Sequence, residues 1–302
     1  MYKKPDYLKA GDKVMVLSPA GAPNHKSVNE GIGILKGWGL EVILAQNTLN
    51  NYGSLAGKDE ERIADLQLAL DDTSIKAIIC SRGGYGTTRI VDALDWTTFE
   101  QSPKWLVGYS DITTMHMQLY KLGYQSIHGS MVIHYSLPHA ASSGESLRQV
   151  LFGEKPPVIT APAHQFNRKG EAEGSIIGGN LALLASQIGT PADLDYTDKI
   201  LFIEEIGEYL YNFDRMLVQM KRSGKLEKLR GLVIGQLTDM KTNEGNEFPM
   251  SALEIIEEKL SEYDYPVGYG FDIGHDYPNW PVICGGNAVL KVTDDGATLI
   301  QL

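Results

Sequence analysis

The amino-acid sequence predicts an α/β protein with two domains, an N-terminal α/β domain on a parallel sheet and a C-terminal β-rich α/β domain. Through the first half, short apolar segments alternate with amphipathic helical segments, which is typical of a parallel sheet covered on both faces. The second half is less regular and ends in a predicted hairpin around Asp294-Asp295-Gly296. At 302 residues the chain is longer than a single hydrophobic core usually supports.

In the first half, each predicted strand is followed by a predicted helix. These elements lie, in order, at residues 13–18, 27–38, 40–45, 58–70, 75–81, from about 87, 105–109 and 111–122. Ligands of parallel sheets bind beyond the carboxyl ends of the strands. Two polar loops, residues 81–86 and 108–111, follow such ends, and they face one crevice if their strands are neighbours.

The pattern changes in a segment with few helical signals. Residues 141–173 contain Pro156-Pro157 and Pro162, and we interpret them as a linker between an N-terminal domain at 1–140 and a C-terminal domain at 174–302. The predicted elements of the second half lie at residues 175–181 with a helix to about 188, 199–204, 211–222, 232–236, 251–263, 267–271, 288–292 and 298–302.

The composition excludes several classes of partner. A formal net charge of -11 argues against a nucleic-acid or membrane surface, because both need clustered lysine and arginine. Cys80 and Cys284 are the only cysteines, and both lie in apolar contexts that indicate buried free thiols in a reducing compartment. No apolar segment predicts a signal peptide or a membrane span. We therefore expect a soluble cytoplasmic protein.

Ser110 lies where an apolar run ends and a helical pattern begins. A serine at such a turn is accessible to substrate, and the backbone N–H groups of the following helix can stabilise a developing negative charge. The simpler interpretation is a helix N-cap, which is the commoner role of a serine before a helix. The turn alone favours the cap, so a catalytic role requires a base and an orienting acid elsewhere.

The loop at Arg82-Gly83-Gly84 is a candidate anion or oxyanion site, because its backbone N–H groups are not obstructed by side chains. The alternative is an ordinary turn with positive φ, which is commoner for a glycine pair. Arg82 is a candidate for binding a substrate carboxylate, although a structural salt bridge is equally plausible.

Metal and nucleotide binding are weakly supported. The seven histidines form no His-Glu-x-x-His motif, and neither cysteine belongs to a Cys-x-x-Cys pair, so we expect no metal. His128 and His134 are the pair that would need a carboxylate to form a site. Gly31-Ile32-Gly33 superficially matches a dinucleotide fingerprint but lies inside a helical pattern rather than at a strand-to-helix turn.

A base and an acid are available in the second half. Glu204 and Glu205 follow a predicted strand, and His275 lies in a loop between glycine and a Pro-Asn pair. The order Ser110, glutamate, His275 matches the serine–acid–histidine order of some hydrolases. Position 112 is Ile112, so the turn lacks the second glycine of the usual nucleophile elbow.

Six motifs, in one order along nearly the whole chain, resemble those of the LD-carboxypeptidases. These are serine peptidases of the S66 type, and the group also includes microcin C self-immunity proteins. The motifs are Ser81-Arg82-Gly83-Gly84-Tyr85-Gly86, Gly108-Tyr109-Ser110-Asp111-Ile112, His128-Gly129-Ser130, Gly178-Gly179-Asn180-Leu181, Leu201-Phe202-Ile203-Glu204-Glu205 and Gly274-His275.

The resemblance implies a Ser–Glu–His triad, with Ser110 as nucleophile, His275 as general base and Glu204 as the acid. The family has a Glu-Asp pair where this chain has Glu204 and Glu205, so the choice between the two glutamates stays open. The Asp111 N–H and the Gly83-Gly84 loop match the oxyanion-hole region. Arg82 and a helix N-terminus are both candidates for holding the terminal carboxylate of the substrate.

The resemblance also implies a cytoplasmic homodimer that uses no metal or cofactor. Its implied substrate is a murein tetrapeptide, from which the terminal D-alanine is removed after an L-configured centre. Two alternatives stay open. One is a related hydrolase of acyl-sulfamoyl or aminoacyl nucleotides, as in the microcin immunity branch, and the other is a non-catalytic peptide-binding protein on the same fold.

Overall fold

A computed structural model describes residues 2–302 and divides the chain into two compact units. Of the described residues, the first unit contains 2–156 and 278–284, and the second contains 157–277 and 285–302. Each unit is built on its own sheet, one of six strands and one of seven. The predicted fold class is confirmed, with a parallel sheet in the N-terminal part and a strand-rich C-terminal part.

The first unit holds a six-stranded sheet in the order β11-β5-β4-β3-β1-β2. All of its strand pairs are parallel except β11 with β5. The strands are β1 (Lys13–Leu17), β2 (Glu41–Leu44), β3 (Ile75–Cys80), β4 (Trp105–Gly108), β5 (Ser126–His128) and β11 (Val282–Cys284). The helices are α1 (His25–Gly37), α2 (Asp59–Asp71), α3 (Thr97–Gln101), α4 (Thr113–Leu122) and α5 (Ala141–Leu151).

Two hydrophobic cores lie on opposite faces of this sheet. Ile78 and Leu106 belong to one core, whereas their neighbours Ile79 and Val107 belong to the other. Successive side chains of a strand point to opposite faces, so a continuous apolar run fills both cores. This explains why the central strands show no alternation of polar and apolar residues.

The second unit holds a mixed seven-stranded sheet in the order β10-β9-β8-β7-β12-β13-β6. The first four strands in that order pair in parallel and the remaining pairs are antiparallel. The strands are β6 (Val158–Pro162), β7 (Gly170–Asn180), β8 (Lys199–Ile206), β9 (Gly231–Thr238), β10 (Val267–Tyr269), β12 (Asn287–Val292) and β13 (Gly296–Gln301). The helices are α6 (Leu181–Ser186), α7 (Leu210–Arg222) and α8 (Ala252–Leu260).

The range expected to be a linker, residues 141–173, contains regular structure of both units. Helix α5 packs Leu147 and Val150 into the first unit, and β6 pairs with β13 in the second. The chain passes from the first unit to the second between Pro156 and Pro157. The apolar face of α5 explains why this part is folded despite its many turn-forming residues.

The prediction of a helix from about Thr87 was wrong. Two short 3-10 turns occupy residues 87–89 and 91–93, and α3 begins only at Thr97. The carboxylate of Asp95 accepts hydrogen bonds from the backbone N–H and the hydroxyl of Thr97, and Gln67 accepts a hydrogen bond from the Asp95 N–H. These hydrogen bonds lie between the 3-10 turn at residues 91–93 and the start of α3 at Thr97.

Both cysteines, Cys80 and Cys284, are buried and free, as expected. Within residues 2–302, no helix is long and apolar enough to cross a membrane.

A pair of glycines in α1 provides a matched test of the packing. A Cβ at Gly31 would lie 2.2 Å from the carbonyl oxygen of Val132, whereas one at Gly33 would meet nothing within 4 Å. We expect Gly31→Ala to lower the free energy of unfolding by about 2 kcal/mol. Gly33→Ala should raise it by about 0.5 kcal/mol, because alanine restricts the unfolded chain. Chemical denaturation of both variants measures this, and equal values would contradict the packing described here.

Candidate active site

Ser110 lies in a backbone conformation that is costly for a residue with a side chain. Its φ is 64°, in the left-handed region, at the point where β4 ends and a 3-10 turn over Ser110–Ile112 begins. Such a conformation costs about 1–2 kcal/mol for an L-residue and persists only where the surroundings impose it. Ser110 is half-buried. A strained serine at a strand-to-helix turn is typical of nucleophiles.

Two glycines leave room for this turn. A Cβ at Gly83 would lie 3.0 Å from Cβ and 3.3 Å from Oγ of Ser110. A Cβ at Gly108 would lie 2.8 Å from the side chain of Ile112. Ile112 therefore takes the place of the second glycine of the usual elbow, and the space is provided by Gly108 instead.

The glycine loop that packs against Ser110 is hydrogen-bonded to Gly21. The Gly83 carbonyl accepts a hydrogen bond from the Gly21 N–H at 3.0 Å, and Gly84 has a φ of 110°, which favours glycine. The structure thus brings Gly83 next to Ser110, as expected from the positions of the two loops. Strands β3 and β4, which precede these loops, are neighbours in the sheet.

The side chain of Asp111 ties the same loop to the serine turn. Its Oδ2 accepts a hydrogen bond from the Thr87 N–H at 2.9 Å, and the Thr87 hydroxyl donates to the Asp111 carbonyl at 2.7 Å. Burial raises the pKa of this carboxyl, although the hydrogen bonds from Thr87 oppose the shift. Sequence analysis assigned a role only to the Asp111 backbone, and it did not detect this side-chain contact.

His116 holds the backbone at Gly108, where β4 ends before the serine turn. The sequence analysis assigned no role to this histidine. Its Nε2 lies 2.8 Å from the Gly108 carbonyl oxygen and its Nδ1 lies 2.8 Å from the Ser126 hydroxyl. Burial lowers the pKa of His116 to about 4, so the imidazole is neutral and donates from Nε2 to Gly108. The signal was present in the sequence, since His116 shares the buried face of α4 with Met115 and Leu119.

His128 and His134 do not form a metal site in the structure. Their rings lie 5.8 Å and 5.7 Å from the ring of Tyr109, the residue before Ser110. Among residues 2–302, no group of three or more His, Cys, Asp or Glu side chains is arranged to hold a metal ion. The two imidazoles instead pack around the residue that leads into the serine turn.

In the second unit, His275 is held by a buried carboxylate. Its Nδ1 lies 2.7 Å from Oε2 of Glu204, whose side chain is fully buried, and the histidine side chain is 12% exposed. Burial lowers the pKa of His275, but the charge and hydrogen bond of Glu204 outweigh it, so the pKa is raised overall. This pairing orients the imidazole with Nδ1–H toward Glu204 and leaves Nε2 as the basic nitrogen.

The loop that carries His275 is fastened to β9. The Gln236 N–H donates to the Ile273 carbonyl at 2.8 Å, and the Gln236 side-chain oxygen accepts from the Asp276 N–H at 2.8 Å. Gly274 has a φ of 146°, and a Cβ there would lie 2.9 Å from Cβ of Gln236. Glycine is therefore required beside His275, because the loop passes directly over the strand.

Glu205 points to a different partner from Glu204. Its carboxylate accepts hydrogen bonds from the Asn180 side chain at 2.8 Å, the Ala182 N–H at 2.8 Å and the Ile206 N–H at 2.9 Å. Burial, together with the charge of Glu204, raises the pKa of Glu205 to about 7. Of the two glutamates, Glu204 is the one that contacts His275, and Glu205 caps the start of α6.

Arg82 is exposed and donates from Nη1 to the Ala22 carbonyl at 2.7 Å. Within residues 2–302 it makes no salt bridge. The guanidinium therefore keeps its charge available to an anion, and its role as a carboxylate-binding group stays a prediction.

The structure thus assembles two groups of predicted residues, each within one unit. The first unit brings together Ser110, Gly83 and Asp111, and the second brings together Glu204 and His275. The first arrangement places a serine hydroxyl beside the backbone of a glycine loop, and the second orients an imidazole against a buried carboxylate.

Comparison with known proteins gives two family matches. The description LD-carboxypeptidase N-terminal domain matches residues 14–129, and LD-carboxypeptidase C-terminal domain matches residues 173–290. The chain is 34% identical over 300 residues to the probable murein peptide carboxypeptidase of Bacillus subtilis (strain 168). The aligned region covers 98% of this chain and 94% of the relative.

Solved structures share the fold. The crystal structure of muramoyltetrapeptide carboxypeptidase from Oxalobacter formigenes has a TM-score of 0.84 and 30% identity, covering 96% of this chain and 98% of that one. The microcin C7 self immunity protein MccF in complex with aspartyl sulfamoyl adenosine has a TM-score of 0.86 and 20% identity, with coverage of 99% and 98%. At this identity the likeness to MccF shows the fold alone.

The raised pKa of Glu205 predicts a pH-dependent stability. The folded protein retains this proton up to about pH 7, whereas the unfolded chain loses it near the ordinary value of 4.5. This group therefore makes wild-type stability fall as pH rises from about 4.5 to about 7. Glu205→Gln removes the titration, so its stability relative to wild type should increase over the same range. Urea denaturation at about pH 5 and about pH 8 measures this. A constant difference between the two proteins would contradict the assignment.

Proposed function

Because the chain belongs to the LD-carboxypeptidase family of serine peptidases, we propose that it removes the terminal D-alanine of murein tetrapeptides by hydrolysing an L,D-peptide bond. The relatives compared above with at least 30% identity are named for murein or muramoyl peptides. The observation that carries the mechanism is the 2.7 Å contact between His275 and the fully buried Glu204. A buried carboxylate on Nδ1 of an accessible histidine is the arrangement of a general base.

In the proposed reaction the Ser110 hydroxyl attacks the carbonyl carbon of the scissile bond while Nε2 of His275 takes its proton. Glu204 stabilises the imidazolium that forms. Backbone N–H groups of the Gly83-Gly84 loop and of Asp111 donate to the tetrahedral oxyanion, where one donor typically contributes about 3 kcal/mol. The contact between Gly83 and Ser110 supports this role, because it sets the loop beside the attacking oxygen.

The intermediate then collapses. The C–N bond breaks, His275 donates its proton to the leaving amine of D-alanine, and the acyl group remains on Ser110. Water, deprotonated by His275, hydrolyses the ester and releases the shortened peptide. Arg82 is proposed to bind the terminal carboxylate of the substrate, which an exopeptidase must recognise. As expected from the family resemblance, we also propose a cytoplasmic homodimer that recycles cell-wall peptides.

Hydrolysis of an aminoacyl sulfamoyl nucleotide is the second reaction to test, since MccF shares the fold. The likeness at 20% identity carries no argument about substrate. The murein peptide is therefore the substrate that we propose.

The central test is release of D-alanine from a murein tetrapeptide. We expect turnover by the wild type and a loss of at least about 10⁴-fold in kcat in Ser110→Ala and His275→Ala. Thr114→Ala, in the helix α4 that follows the serine turn, is the control. Mass spectrometry of the products, with an aminoacyl sulfamoyl nucleotide assayed in parallel, identifies the substrate. Undiminished activity of Ser110→Ala would overturn the mechanism, and cleavage of the nucleotide alone would overturn the substrate.

The raised pKa of His275 predicts the acid side of the pH–rate profile. Only neutral His275 accepts the proton of Ser110, so kcat/KM should fall as pH drops through a pKa above the ordinary value of about 6.5. Glu204→Gln removes the charge that raises this pKa, so its acid limb should move to lower pH, with kcat reduced about 10⁴-fold.

Glu205→Gln is the comparison variant, because Glu205 also titrates near pH 7. An acid limb that moves in Glu204→Gln and persists in Glu205→Gln belongs to His275. A limb that disappears in Glu205→Gln would assign the titration to Glu205 instead.

A further inference from the structure

A buried arginine links two loops of the first unit, one of which packs against Ser110. Arg62 lies in the first turn of α2, and its side chain is fully buried. Its Nη1 donates to the Pro19 carbonyl at 2.6 Å and to the Gly86 carbonyl at 2.9 Å. Pro19 follows β1, and Gly86 ends the glycine loop, residues 81–86, that follows β3. A guanidinium is costly to bury, so its place here depends on these partners.

The guanidinium lies directly against the backbone of the glycine loop. A Cβ at Gly86 would contact Nη1 of Arg62, and the φ of Gly86 is 136°. The same two loops are also joined by the hydrogen bond from the Gly21 N–H to the Gly83 carbonyl. The loop is therefore held at Gly83 and at Gly86, on both sides of Gly84.

A single peptide group connects Arg62 to the residue after the nucleophile. The carbonyl of the Gly86–Thr87 peptide bond accepts from Arg62, and the N–H of the same peptide bond donates to Oδ2 of Asp111 at 2.9 Å. The peptide group is planar, so holding both of its ends sets its orientation. Asp111 follows Ser110, so this contact ties the glycine loop to the serine turn.

Asp59 fixes a second nitrogen of the same guanidinium. Its carboxylate accepts a hydrogen bond from Nη2 of Arg62 and another from Nη2 of Arg89 at 2.6 Å. Arg89 ends the 3-10 turn that follows the glycine loop. Asp59 thus holds Arg62 in place and fastens the segment after Gly86 as well.

We propose that Arg62 is a positioning residue for the reaction, which holds the glycine loop so that its N–H groups reach the tetrahedral oxyanion. This inference rests on the proposed function. The oxyanion is absent from the bound substrate, so a displaced loop lowers kcat and leaves KM unchanged. A displacement of about 1 Å in an active site can cost about 100-fold in rate.

A second buried cation of the same unit provides a matched control. Lys104 is also fully buried, and its Nζ donates to three backbone carbonyls at the C-terminal end of α2. Lys104 precedes β4, whereas Ser110 follows that strand. Arg62→Met and Lys104→Met therefore each remove one buried cation, but only Arg62 contacts the glycine loop.

The first measurement is the kinetics of D-alanine release. We expect Arg62→Met to lower kcat about 100-fold, with KM within about twofold of wild type. Lys104→Met should keep kcat within about twofold, although chemical denaturation should show a comparable loss of stability. Arg62→Lys should stay within about tenfold of wild type, because one ammonium group can donate to both carbonyls.

The second measurement does not depend on activity. Hydrogen–deuterium exchange followed by mass spectrometry reports the opening of residues 81–89. We expect exchange there to be at least about tenfold faster in Arg62→Met and unchanged in Lys104→Met. Unchanged exchange in Arg62→Met would overturn the inference, as would an unchanged kcat or an equal loss of kcat in Lys104→Met. Faster exchange in a protein whose wild type releases no D-alanine would reject the proposed function and retain the contact of Arg62 with the loop.

If Arg62→Met does not fold, Asp59→Asn tests the same contact from the other side. It leaves the guanidinium in the chain but removes its carboxylate partner, so kcat should fall about tenfold with KM unchanged. Glu60→Gln is the control, since Glu60 is exposed in the same turn of α2. Equal kcat in Asp59→Asn and Glu60→Gln would overturn the inference.

Discussion

The left-handed backbone of Ser110 is the constraint on which the first unit depends. Strand β4 ends at Gly108, two residues before Ser110, and a 3-10 turn begins at Ser110 itself, so the neighbours have to accommodate an unfavourable conformation. Gly108 and Gly83 leave space for it, and His116 and Asp111 fasten the backbone on either side. Few of these residues need to touch a substrate. Their shared effect is to stabilise a turn that places the Ser110 hydroxyl beside the Gly83-Gly84 loop.

The second unit depends on two adjacent glutamates that are buried in the protein. Glu204 is fully buried, and its Oε2 is paired with His275. Its neighbour Glu205 receives three hydrogen bonds yet still has a raised pKa. Two adjacent buried carboxylates disfavour each other's charge, so one is paired with a base and the other titrates near neutrality. The two glutamates have different partners because adjacent residues of a strand face opposite sides of the sheet.

Much of the fold could be predicted because it depends on local patterns. The alternation of apolar runs and amphipathic helices identified four strands of the parallel sheet and most helices. Three short strands, β5, β6 and β11, went undetected, because no predicted helix follows them as one follows the equally short β2 and β4. The same limit applies to the segment at 278–284, which joins the first unit through pairing of β11 with β5. Pairing between strands distant in sequence leaves no local signal.

The sequence by itself determined the fold class, the family and the residue types of the candidate site, because six motifs in a fixed order are specific. It left the choice between Glu204 and Glu205 open, since adjacent residues on a strand differ only in the face they occupy. Only the tertiary structure decided that Glu204 contacts His275 and that Glu205 caps α6. It also assigned contacts to Thr87, His116 and Asn180, whose roles depend on partners far away in the chain. Hydrogen bonds of this kind are set by strand register and backbone direction, which emerge only when the sheets form.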